Sequence, residues 1–117
     1  MLEQDIQEQE VTIEDAKERI ALRDGLIKLT KNREFKKIIE TGYFEAEAAR
    51  VVAAKANPAL QGDEQQLILD KQINAIGGLR QYFGMIVGIG NQAEQALGEH
   101  IETLEAMRQE DLEGQGE

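Results

Sequence analysis

The side chains able to do chemistry in this sequence are carboxylates, one imidazole and little else. Glu14 and Glu18 stand four residues apart, and Glu94, Glu99, Glu102 and Glu105 recur along a later stretch. Paired carboxylates can share a proton or hold a metal ion, but spacings of three to five on a helix read more simply as a solvated surface. Neither set has the Glu-x-x-His pattern with which helical bundles hold di-iron centres. His100 follows Glu99 directly, and consecutive residues on a helix point about 100° apart, so an exposed histidine is favoured over a metal ligand. The chain contains no cysteine and no serine, which removes thiolate metal sites, disulfides and the commonest hydroxyl nucleophile. Thr12, Thr30, Thr41 and Thr103 fit capping or surface positions. Tyr82 could hydrogen-bond Glu40 or Arg50, but a catalytic acid needs a cleft that the pattern does not announce. No catalytic, cofactor-binding or metal-binding residue is assigned, and the expectation is a protein that is not an enzyme.

Glycine is the more informative residue. Gly77, Gly78, Gly84, Gly88 and Gly90 fall within one apolar run, Ile76 to Gly90. Each glycine inside a helix costs about 0.8 to 1 kcal/mol relative to alanine, so the five together cost roughly 4 to 5 kcal/mol that something must offset. Gly77, Gly84 and Gly88 are spaced by seven and four, hence near one face, where missing side chains let another helix approach. A tight crossing within the chain, a subunit interface and a hinge are the readings this supports. A phosphate-binding loop is not among them, because the run lacks the Lys-Ser/Thr ending and the preceding strand.

The elements that must position these residues are helices. From Asp63 to about residue 112, apolar or small residues recur at Leu69, Ile73, Ile76, Phe83, Val87, Gly90, Ala93 (or Ala96 or Leu97), Ile101 and Leu104, alternating steps of three and four apart from a gap at Arg80. A helix of about fifty residues would be about 75 Å long, so an elongated antiparallel helical hairpin or coiled coil is expected, not a compact bundle. A first helix over about residues 5–31 carries Ile6, Ile13, Ile20 and Ile27 every seventh residue, with Leu2, Ala16 and Leu26 or Leu29 beside them, the pattern of a coiled-coil seam. Thr12 and Asp15 form a weak capping box. Asn32 is placed to cap a short helix over 33–41 that carries Phe35, Ile38 and Ile39, with Gly42 in the left-handed position at its end. Tyr43 and Phe44 make an aromatic corner, and an alanine-rich helix over 45–56 ends at Asn57-Pro58. Asp63 caps the long helix, and residues 113–117 read as a disordered tail after a single domain over residues 1–112.

Charge limits the partners. The net charge is −10, which argues against a sequence-independent grip on nucleic acid, since that grip comes from Lys and Arg displacing counterions. From Ala59 onward there are eleven acids against Lys71, Arg80 and Arg108, while Arg33, Lys36, Lys37, Arg50 and Lys55 make the middle slightly basic. That basic face could dock the acidic arm of a neighbour, although a solvated surface is the simpler account. The first residues lack the basic and apolar pattern of a signal peptide, and no run reaches eighteen apolar residues, so no membrane partner is expected.

The run Leu29 to Phe44, followed by Glu47-Ala48-Ala49-Arg50 and later by Ile73 to Phe83, resembles a family of small acidic helical proteins encoded by tailed bacteriophages. The likeness covers roughly residues 20 to 105. It implies a role in virion assembly, as scaffold, core, chaperone or connector, located in the host bacterial cytoplasm or the virion, with no cofactor and with other phage structural proteins as partners. Two functional expectations follow. One is a homo-oligomeric assembly protein whose contacts involve Phe35, Tyr43, Phe44, Tyr82, Phe83, Gly84 and Gly88. The other is a binding module whose acidic arm mimics nucleic acid and inhibits a host or phage DNA-handling protein.

Overall fold

A computed structural model describes residues 2–115. It is all-α: the described residues contain helices and short connections and no strand. α1 spans Leu2–Thr30, and α2, Arg33–Phe35, leads into a π-helix over Lys36–Glu47 and then α3, Ala48–Ala56. A 3-10 turn at Pro58–Leu60 precedes α4, Asp63–Gln115. No helix among the described residues is long and apolar enough to cross a membrane. The sequence reads as one domain over residues 1–112; contacts group the chain as two compact units, Met1–Gly25 with Ile86–Glu117, and Leu26–Met85.

The first unit is a pair of antiparallel helices. Gln9 and Glu10 near the start of α1 meet His100 and Arg108, whereas Arg23 further along meets Asn91 and Glu94, as antiparallel helices require. Ile13, Ala16 and Arg23 are buried from α1, and Ile86, Gly90, Ala93 and Leu104 from α4. These positions alternate steps of three and four and their multiples, which keeps a stripe of one helix facing the other. Small residues at Ala16, Gly90 and Ala93 keep the backbones close.

The second unit also pairs antiparallel segments, and aromatic contacts hold it. Phe83 of α4 stacks against Phe35 at a centroid distance of 6.0 Å and meets Phe44 edge-on at 5.9 Å, while Tyr43 lies 6.0 Å from Phe44. Val51 of α3 is completely buried, and Leu69 and Ile76 are buried on α4. At the far end Lys55 pairs with Asp70. The turn there closes with side chains: Asn57 accepts from the Ala59 amide at 3.0 Å, and Gln61 and Gln66 both donate to the Lys55 carbonyl, at 2.8 and 3.2 Å. Those amides satisfy carbonyls that the end of α3 leaves without a helical partner.

Two features expected at helix ends are present: the Asn32 side chain accepts from the Phe35 amide at 3.0 Å, and α3 ends at Asn57-Pro58. Others differ. The break expected at Gly42 does not occur, and no glycine among the described residues has a positive φ. The π-helix runs through it instead. Half-buried Phe35, Ile39, Tyr43 and Glu47 are four apart; on an α-helix each such step overshoots by about 40°, so the row would drift about 120° off its face. Wider turns with bonds across five residues hold the row together. In this geometry the Lys37 carbonyl lies 3.0 Å from where a Cβ on residue 42 would sit, which is why the absence of a side chain suits that position.

The first helix starts at Leu2, and Thr12 caps nothing: its hydroxyl donates to the Glu8 carbonyl one turn back, at 2.9 Å. Asp63 is the first residue of α4, not its cap; Gln65 reaches back to accept from the Gly62 amide at 3.2 Å, half of a capping box. Along α4 the inward row takes Leu79 where the sequence suggested a gap at Arg80, and so continues through Ile86 and His100, leaving Val87 half-buried and Ile101 exposed. In α1 Leu26 is buried where Ile27 was expected. The tail expected from residue 113 is helical as far as Gln115, since the continuing helix keeps its backbone groups bonded; residues 116 and 117 lie outside the described residues.

The aromatic contacts make Phe83 the residue whose loss the second unit should feel most. Phe83→Ala is expected to lower stability by about 2–3 kcal/mol, the low end for a large aromatic because the ring is half-buried, measured as a shift in the urea midpoint.

Candidate functional site

Two kinds of glycine lie along α4, and they separate structural from functional demands. At Gly90 the side chain of Arg23 crosses directly over the backbone, so that a Cβ added there would stand 2.4 Å from the Arg23 Cβ and under 3.0 Å from its Cγ and Cδ. Arg23 is 7% exposed although charged. Its guanidinium donates to Asn91 at 2.9 Å, to Glu94 at 2.8 Å and to Asp24 at 2.9 and 3.0 Å. A buried guanidinium needs such partners, because an unpaired charge in the seam would be strongly destabilising. Donating to Glu94 and Asp24 raises the Arg23 pKa, and the same bond to Glu94 holds that carboxyl below its ordinary range. Gly90 thus answers to a tight crossing within the chain.

Gly77, Gly78, Gly84 and Gly88 do not. A Cβ at any of them would meet nothing within 4 Å, and all four are exposed. The intrachain crossing that the sequence allowed for these residues is therefore absent, and they show no kink of positive φ. In the second unit Gly78, Gln81, Tyr82, Gly84 and Met85 line an open trough on α4. Tyr82 and Met85 stand at its sides about half exposed. Between Arg80 and Arg108 the chain carries no Lys or Arg, and between Lys71 and Glu94 its sole charge is Arg80, so the trough is almost uncharged. Gly88 belongs to the first unit and is open there.

The expected interface residues thus fall into two groups. Phe35, Tyr43, Phe44 and Phe83 are half-buried and contact one another within the second unit, whereas Tyr82, Gly84 and Gly88 are exposed. Tyr82 makes neither hydrogen bond expected of it: Arg50 is taken by Glu47, which it holds below the ordinary carboxylate range, and the Tyr82 ring packs beside Phe83 at 6.3 Å. His100 is half-buried in the seam, with Nδ1 2.9 Å from the Gln9 amide nitrogen, not exposed as expected. The exposed face around Ile38 was missed by the sequence reading, which placed Ile38 inward; it lines a second trough with Ile39, Gly42, Tyr43 and Glu47. The four-residue spacing Phe35-Ile39-Tyr43 was the signal available for it.

Thr12, Thr30 and Thr103 donate to carbonyls three or four residues back on their own helices. Among the described residues no group of three His, Asp or Glu side chains is placed to hold a metal ion. On α4 of the second unit, Gly77, Gly78 and Gly84 leave the surface without side chains, and half-exposed Tyr82 and Met85 stand beside them. Comparison with protein-family models, curated proteins and solved structures finds no match.

Replacing glycine should distinguish the two kinds. Gly90→Ala is expected to destabilise the chain by about 1–2 kcal/mol, overpacking against Arg23 outweighing the gain in helix propensity. Gly84→Ala, open on all sides, should stabilise it by about 0.4–1 kcal/mol. Chemical unfolding of the two variants gives opposite signs if this holds. Acid should act through Glu94. Its folded pKa is lowered from 4.5, so its contribution is present above that value and lost as pH falls through and below it. Glu94→Gln should be less stable than the parent at neutral pH, and the difference should shrink as pH falls below the ordinary carboxylate range, read from urea midpoints across that range.

Proposed function

We propose that this chain is a non-enzymatic structural or assembly protein of a tailed bacteriophage, of the scaffold, core, chaperone or connector type. It acts through helix-mediated contacts with further copies of itself and with other virion proteins, in the host cytoplasm or the virion. The observation that carries the reading is the open glycine face. In the second unit the exposed glycines Gly77, Gly78 and Gly84 of α4 cost about 2–3 kcal/mol relative to alanine, and no group of the same chain approaches them. Their lack of side chains gains its use when a second helix lies against them.

Exposed apolar side chains support the same reading. Ile38, Val52, Leu67, Ile68, Tyr82 and Met85 of the second unit are each close to half exposed or more, beyond the scattered apolar residues that a monomer's surface ordinarily shows. A pair of helices offers each member one buried stripe, and the remaining apolar surface is available to partners. The phage setting comes from the resemblance over residues 20 to 105.

The test is the solution mass of a variant that fills the face. Gly84→Leu should reduce the oligomeric mass measured by light scattering while circular dichroism shows unchanged helicity. An unchanged mass across a range of concentrations would reject the glycine face as the contact.

A further inference from the structure

The two units differ sharply in charge. Residues 1–25 and 86–117 together hold sixteen acids and four bases, a net −12, whereas residues 26–85 hold seven acids and nine bases, a net +2. Within the second unit the positive charge is concentrated. Lys28, Lys31, Arg33, Lys36 and Lys37 lie within ten residues that contain one acid, Glu34. All five cations are exposed. The ion pairs among the described residues engage Lys17, Arg23, Arg50, Lys55 and Arg108, and none of these five. Lys28 and Lys31 suit the end of α1, where positive charge complements the helix dipole. Arg33, Lys36 and Lys37 follow the start of the next helical segment, where the dipole disfavours them, so local structure does not account for their charge.

The opposite charge is available on the same molecule type. Glu99, Glu102 and Glu105 are exposed on successive steps of α4, without an ion pair among the described residues, and no Lys or Arg lies between them.

We infer that the basic corner Lys28–Lys37 of one copy docks on the acidic row Glu99, Glu102 and Glu105 of a second copy. This contact deepens the self-assembly reading and rests on it. It joins two different surfaces and is therefore heterologous: repeated, it closes a ring or extends a chain of copies. Long-range repulsion at −10 acts on a second copy as it does on nucleic acid; the second copy is favoured because each copy supplies both signs of charge and hence both surfaces of the docking. The steering is electrostatic and weakens once the screening length falls below the separation of the charges.

Charge reversal in both directions tests the contact. Self-association of the full chain is measured by sedimentation equilibrium at about 50 mM and about 500 mM salt, screening lengths of roughly 14 and 4 Å. The parent should associate at least about tenfold more weakly at the higher salt. Variant one is Lys31→Glu with Arg33→Glu, Lys36→Glu and Lys37→Glu; variant two is Glu99→Lys with Glu102→Lys and Glu105→Lys. Each should associate at least about tenfold more weakly than the parent at low salt, and an equimolar mixture of the two should regain association as a mixed complex. The second variant is decisive, because its net charge falls from −10 to −4: general repulsion predicts tighter association, docking predicts weaker. Tighter or unchanged association of that variant overturns the proposal. So does parent-like association of the first variant, including the case in which that corner proves to bind a short DNA duplex instead. If Gly84→Leu abolishes association while both charge variants keep it, the assembly reading stands and this contact falls. If the charge variants lose association and Gly84→Leu does not, the docking stands and the glycine face falls.

Discussion

The stem of Arg23 lies across the bare backbone of Gly90, and the first unit depends on that contact. It is steric and ionic at once. A side chain at residue 90 would collide with the Arg23 stem, and a shift of α1 along α4 would carry the guanidinium away from Asn91 and Glu94. Apolar seams built from Ile, Leu and Ala tolerate slippage by a heptad, because one apolar knob fills a hole much as the next does; a polar residue at a seam position removes that degeneracy. Gln9 opposite His100 does the same near the start of α1. Two polar contacts therefore define the register of a pair whose apolar side chains would accept several.

That register decides which glycines belong to the fold. With Arg23 set against Gly90, the inward row of α4 in this unit is Ile86, Gly90, Ala93, Leu97, His100 and Leu104, and Gly88 faces outward. Within the second unit, Phe83 is held by Phe35 and Phe44, so Gly84, the next residue along, is turned away from them and Gly77 and Gly78 are exposed as well. The same residue type thus serves opposite ends on one helix. Gly90 is required by a neighbour in the chain, whereas the outward glycines lower helix stability with no return inside the chain. A sequence that keeps them bears a cost that a lone helix pair would remove by substitution to alanine.

Much of the architecture was legible because helix periodicity and end signals are local. Asn32, Asn57-Pro58 and the long uninterrupted run after Asp63 declare themselves within a few residues. The departures arose where long-range packing overrode local preference. Gly42 reads as a stop signal, yet the four-residue spacing of Phe35, Ile39 and Tyr43 favours a wider helix that needs no stop and has reason to keep a glycine there. The register of α4 also turned on small steps: Leu79 fills the place where a gap at Arg80 was expected, and Ile86 and His100 take positions expected of Val87 and Ile101, while Phe83, Gly90, Ala93 and Leu104 lie inward as the pattern suggested. Arg23 escaped notice because a cation in a seam is readable only once its partners, some seventy residues away, are placed beside it. The sequence showed that the glycines were unusual; deciding between a crossing and a free face required knowing what surrounds each.

The glycine face and the charge distribution place different demands on assembly, and their combination is more specific than either alone. A face of small residues is adaptable: any helix with a modest apolar ridge can approach it, and close packing by itself selects poorly among partners. Exposed ion pairs contribute little energy individually, but like charges brought together are unfavourable and so exclude misaligned arrangements. With −12 on one unit and +2 on the other, approach of two first units is opposed, whereas approach of a first unit to a second is not. In the proposed assembly, charge would select which surfaces meet, while apolar contact at the trough around Gly84 would supply the short-range attraction that salt does not screen. An assembly built on both would form in a preferred order and orientation at physiological ionic strength, with the steric component retained when the ionic one is screened.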